Sequence, residues 1–188
     1  TRTKKGDDFN GLAIMDWNEF RMSAAMESAL VGYEDPRTPI YFLPAVTTGK
    51  FEGLRNGLTA GQMAEPLNVP DANSHHGARW SSTTGLETPS NVMCTAEAYF
   101  LKAEGALLGW NMGGTAKSFY EEGIRQSMAQ WGITDAAKVS AYINSTKTPV
   151  APGDFLNSPA LNDAQVLFAS TPAQQRKQIS TQKWLALY

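Results

Sequence analysis

The run TAEAYFLKAEGALLGW, residues 95–110, limits what this chain can fold into more than any other stretch. Its spacing is helical, but it has almost no side suited to water. Advancing about 100° per residue from Glu97, Ala96, Phe100, Ala103 and Leu107 share one sector, which Leu101 and Leu108 extend. Tyr99, Ala106 and Trp110 form a second sector, leaving Ala98, Gly105 and Gly109, with Lys102 as the only long polar residue. Glycine within a helix costs about 1 kcal/mol relative to alanine, so close packing should recover that cost. The expectation is a central helix packed on several sides, with another backbone close to its small residues.

Glu97 and Glu104 lie seven residues apart, beside the apolar arc. Buried carboxylates are costly unless paired. One reading gives them hydrogen bonds or ion pairs from a neighbouring helix; the other makes them a catalytic acid and base. Two carboxylates two turns apart on one helix share an orientation and would not flank a bond, which favours the structural reading.

The segment TAKSFYEEGIRQSMAQW after the link NMGG reads as a second helix, with Thr115 as N-cap and Gly132 as its stop. Ala116, Phe119, Tyr120, Gly123, Ile124, Ser127 and Trp131 form its stripe, and Glu121 with Arg125 a solvent-side pair. So short a link predicts antiparallel packing, and the pair is similar to a tetratricopeptide helix pair, without a second copy at that repeat's period. Further helices are expected over 17–31, capped by Asp16 and stopped by Gly32, and over 134–143. A last one opens at Thr171, with Pro172 at its first position and Gln174 completing a capping box. Pro39 and Pro44 bracket IYFL as an edge strand or no regular strand, and residues 49–89 show no periodicity.

The chain has 188 residues, 42% of them hydrophobic, which suits one ordinary core. A formal net charge of −2 gives no basic footprint, so nucleic acid is not an expected partner. No run approaches the roughly 20 apolar residues of a membrane span. The chain opens TRTKKGDDFN without an initiator Met and closes on QKWLALY in mid-helix, so residues 1–188 are expected to be a single domain or a fragment of a larger protein.

Phosphate loops, nucleophile elbows and dinucleotide fingerprints are absent. His75 and His76 are adjacent and cannot share a metal in the usual helical manner, and Cys94 reads as a buried structural thiol. Asp7 and Asp8 read as a surface pair. No catalytic residue, metal site or cofactor is expected. One run, SHHGARWSST, sets Trp80 beside Arg79 in a polar loop. A flat aromatic face with donors beside it holds sugar rings, by stacking on C–H faces and bonding hydroxyls. The competing reading has Trp80 pin the loop onto the helices.

DPRTPIYF, AEAYFLKAEGALLGW, GGTAKSFYEEGIRQSMAQWGI and QISTQKWLAL, in that order, resemble the SusD/RagB family from about Asp35 to the last residue. The resemblance implies a mainly α, SusD-like scaffold with a tetratricopeptide-like helix pair and long irregular loops. It also implies a lipoprotein on the extracellular face of the outer membrane, its lipid anchor absent from this chain. Members capture glycans, some capture peptides, and they sit over a TonB-dependent (SusC-like) transporter. The matched motifs are scaffold motifs, so no binding residue carries over; Arg79 and Trp80 rest on local context alone. The expected function is non-enzymatic glycan binding for uptake. The alternatives are a helical protein–protein interaction module, a peptide-binding member of the family, and more distantly a glycosidase.

Overall fold

The computed structural model describes residues 2–3, 20–80 and 90–188. Asp7, Asp8, Asp16 and Trp17 lie outside the described residues, as do residues 81–84 of the loop after Trp80. Among those described are six α-helices: α1 Ala24–Gly32, α2 Thr38–Tyr41, α3 Thr95–Leu107, α4 Ala116–Gln130, α5 Ala136–Ile143 and α6 Pro172–Ala186. Two-residue strands, β1 Arg2–Thr3 and β2 Ser90–Asn91, pair antiparallel. The chain divides into two units, one of Val92–Thr148 with Asn162–Tyr188, the other of Arg2–Asn91 with Pro149–Leu161.

The first unit is helical. In α4, Thr115 accepts from the Ser118 N–H, and the Ser118 hydroxyl accepts from the Thr115 N–H, closing a capping box. Gly132, with φ of 77°, follows the far end. Phe100 of α3 meets Tyr120 and Gly123 of α4, whereas Lys102 lies over Phe119 at 4.3 Å. Residue number falls on one helix as it rises on the other, so the pair is antiparallel. A methyl at Gly123 would stand 2.8 Å from the Phe100 ring, so this glycine lets the helices close. The predicted α4 stripe is buried from Phe119 to Trp131, while Ala116 is only partly covered.

Helix α6 packs on both α3 and α4. Its Gln178, 1% exposed, donates to the carbonyls of Gln165 (2.9 Å) and Leu167 (2.7 Å) and accepts from the Ala169 N–H (2.9 Å). One amide thus satisfies an extended segment that has no strand partner. Tyr120 adds a hydrogen bond to the Val166 carbonyl at 2.7 Å.

Several expectations need correction. α3 ends at Leu107; Leu101 and Leu108, expected to extend the first sector, are 45% and 58% exposed, and Trp110 of the second is 64% exposed, with Tyr99 and Ala106 half-buried. Gly105 receives Met112 and Trp110 of the following turn, not another backbone. α5 starts at Ala136 because Asp135 accepts from the N–H groups of Ala137 and Lys138. Thr171 makes no side-chain cap, and Gln174 donates to Asp163 instead of closing a box.

In the second unit α1 begins at Ala24 with Ser23 as its cap, and residues 20–23 of the helix expected over 17–31 are not helical. Met22 and Ser23 are held out of helix by backbone bonds that run from Met22 and Ala24 to Leu54 and Ser74, and Phe20, within the expected helix, is exposed. IYFL is not a strand, as Thr38–Tyr41 forms one helical turn. Ahead of it, Asp35 and Arg37 make a buried ion pair, with Arg37 Nη2 2.6 Å and Nε 2.9 Å from the carboxylate. The irregular loop contains four short 3₁₀ turns between Gln62 and Trp80. The return segment meets α1 through Ser28, whose hydroxyl donates to the Val150 carbonyl (2.6 Å) and accepts from the Leu161 N–H (2.8 Å).

Candidate functional site

Arg79 and Trp80 lie in the 3₁₀ turn Ala78–Trp80. The turn is held against α2, where the Gly77 N–H donates to the Tyr41 carbonyl at 2.7 Å and the Trp80 N–H to the Gly77 carbonyl at 2.9 Å. The backbone of residues 40–41 is so near Gly77 that no side chain fits there. His76 stacks on Phe42, with ring centroids 5.8 Å apart, and burial pushes its pKa down to about 4, so this imidazole is neutral. The histidine pair therefore anchors the loop; among the described residues no group of three or more His, Cys, Asp or Glu could hold a metal ion.

The structure brings Arg79 and Trp80 together. The guanidinium lies 5.6 Å from the indole centroid, within cation–π range. Both residues are partly exposed. The Trp80 Nε1 is buried and has no hydrogen-bond acceptor among the described residues. A sugar stacking here would take the indole face opposite Arg79 or displace it.

Sequence reasoning missed a group of carboxylates in the same unit. Glu27, 7% exposed on α1, accepts from the N–H groups of Gly53 (2.6 Å) and Gly153 (3.3 Å). Burial, opposed by those two bonds and reinforced by Glu52 and Asp154, raises its pKa above the usual carboxylate value. Glu52 and Asp154 also line a cavity of about 280 Å³ with Asn68 and Asn73. In sequence Glu27 is one acid in an apolar helix, and its two backbone donors come from distant glycines with no pattern to link them. In the helical unit, Glu104 has the cation that the sequence left unnamed, Lys183 of α6 at 2.5 Å. Cys94 is buried, its Sγ 3.8 Å from the Ala186 carbonyl.

The family model for SusD-like proteins, the Susd and RagB outer membrane lipoproteins, matches residues 6–188. The chain belongs to this family. Solved SusD homologues have the same fold. A chitin-binding SusD homologue from Flavobacterium johnsoniae is 35% identical over 95% of this chain, with a TM-score of 0.74. A SusD homologue from Bacteroides vulgatus is 33% identical over 92% of it, at 0.78. One from Bacteroides ovatus is 31% identical over the whole chain, at 0.83. The chain spans 36%, 35% and 40% of those three structures. No curated protein matches it. The mainly α, SusD-like scaffold read from the motifs is thus the fold of this family member, and no described helix is long and apolar enough to cross a membrane.

Proposed function

We propose that this SusD-like chain is part of a longer, lipidated surface protein that binds a glycan without chemical turnover. The glycan passes to a TonB-dependent, SusC-like transporter in the same outer membrane. The observation that carries the reading is the 35% identity, over 95% of this chain, to a SusD homologue described as chitin-binding. Arg79 and Trp80 are the proposed contact residues, the indole as a stacking face and the guanidinium as a donor.

A glycan array probed with this chain and with Trp80→Ala tests the reading. Binding by the parent chain and its loss in the variant is the expected result. Binding that survives the substitution keeps the function and removes Trp80 from the site. An array that stays silent while a peptide library binds moves the chain to peptide capture.

One observation favours a second reading, a helical protein–protein interaction module. Glu104, Leu107 and Leu108 of the α3 end, with Arg176 and Ile179 of α6, line a cavity of about 450 Å³ in the helical unit. Pull-down of a helical partner that Leu108→Glu abolishes, with the array silent, would favour it.

A further inference from the structure

A second cavity of the loop-rich unit, about 270 Å³, is lined by Arg21, Asp71, Asn73 and His75 on its polar side and by Pro44 and Val46 among its apolar residues. Drug-sized ligands occupy about 300–1,000 Å³, so this volume suits one small ring and not a chain of them. The Arg21 and Asn73 side chains are held by the backbone around them. Arg21 Nε donates to the Pro70 carbonyl at 2.9 Å and Nη1 to that of Phe20 at 2.8 Å. Asn73 Nδ2 donates to the carbonyls of Leu67 and Val69, both at 3.0 Å, which fixes the amide. The Asp71 backbone carbonyl accepts from the Thr47 N–H at 3.0 Å and from its hydroxyl at 3.2 Å, while the residue itself is exposed.

The electrostatics select among ligand classes. Arg21 and Asp71 line the same cavity with opposite charges, and the carboxylate opposes the effect of burial on the guanidinium. Burial, opposed by the bond to the His76 carbonyl and aided by Arg21, lowers the His75 pKa from its ordinary value of 6.5, so the imidazole is neutral at pH 7. The lining then carries one charge of each sign and an excess of neither, so it favours neither a phosphate nor an ammonium ion. What it offers is a donor (Arg21) and a set of acceptors: the Asp71 carboxylate, the Asn73 Oδ1, whose Nδ2 is already used, and the Nε2 of a neutral His75 whose Nδ1 faces the His76 carbonyl. Hydroxyls set around an apolar ring match that inventory, each being donor and acceptor at once. The Pro44 and Val46 surface supplies the apolar counterpart, with Val46 80% exposed.

We propose that the cavity between Arg21 and Asp71 is a subsite for one neutral sugar ring, separate from the Trp80 face. The assignment rests on the glycan-binding reading and deepens it. Asp71 accepts from a pair of ring hydroxyls, Arg21 donates to a ring or hydroxyl oxygen, and Pro44 and Val46 cover a C–H face. A glycan held in this way is gripped at one residue and stacked at another.

The test is calorimetric titration of the chain with chitohexaose and maltohexaose, comparing Asp71→Ala and Trp80→Ala, with a thermal melt of each. Asp71→Ala should weaken binding about tenfold or more, through loss of a hydrogen bond to a charged group, and lower the melting temperature only slightly, since the exposed carboxylate's attraction to Arg21 is lost with it. Asp71→Asn, which keeps one acceptor, should lose less. Undiminished binding by Asp71→Ala, while the parent chain binds either sugar, overturns the subsite and leaves the glycan reading standing. A parent chain that binds neither hexaose, nor any other glycan on the array, overturns both together. Tighter binding of a phosphorylated or uronate oligosaccharide than of the neutral ones overturns the neutral-ligand assignment.

Discussion

Asp35 and Arg37 flank one proline, and their side chains are completely withdrawn from water. An ion pair so placed adds little net stability over an apolar pair, but breaking it strands a charge. Either Arg37→Ala or Asp35→Ala should destabilise the chain by about 3–5 kcal/mol in urea unfolding. A loss below about 1 kcal/mol would mean that the surviving charge finds water, contrary to its burial. Asp35-Pro36 favours turn initiation on sequence grounds alone. It did not reveal the ion pair, because a turn motif carries no record of whether its charges point inward. Arg79 and Trp80 are the opposite case: adjacency in sequence predicted adjacency in space, and the ring lies within 5.6 Å of the guanidinium. Asp71, Asn73 and Arg21 gave no such signal, since the cavity depends on how the 66–75 turns fold back on residue 21.

Among the elements, α3 and α4 depend on one missing side chain. Gly123→Ala would ordinarily gain about 1 kcal/mol of helix propensity. Here its methyl group meets the Phe100 ring at 2.8 Å, and overpacking should cost about 1–3 kcal/mol, lowering the melting temperature. Phe100→Leu in the same chain should recover part of the loss, and strict additivity of the two changes would argue against the contact. This helix pair was also the most legible part of the fold. Thr115 and Gly132 bound α4 from sequence because its cap is local and complete. The start of α1 was not legible, because the hydrogen bonds that hold Met22 and Ser23 out of the helix come from Leu54 and Ser74, dozens of residues away. The α6 cap failed for a related reason, Asp163 claiming the Gln174 amide.

At the scale of the molecule, Glu27 joins three separated stretches of chain: α1, Gly53 and Gly153. Its pKa is raised above 4.5, so the folded state holds the proton more firmly than the unfolded state does. By linkage, the contribution of Glu27 to stability is greatest below about pH 4.5 and declines as the pH rises through the raised value. Comparing Glu27→Gln with the parent chain should show the parent's advantage shrinking over that interval in chemical denaturation. A difference independent of pH, or one that grows with pH, would contradict the assignment. The return of Pro149–Leu161 to a unit otherwise finished by Asn91 also has a consequence during synthesis. At about 5–20 residues per second, several seconds separate the emergence of Asn91 from that of its last missing piece. For that interval the nascent chain carries Glu27 without its Gly153 donor and Ser28 without either of its return-segment partners. The ribosome therefore makes the helical pair α3–α4, whose contacts are local, before the unit that precedes it in sequence can close.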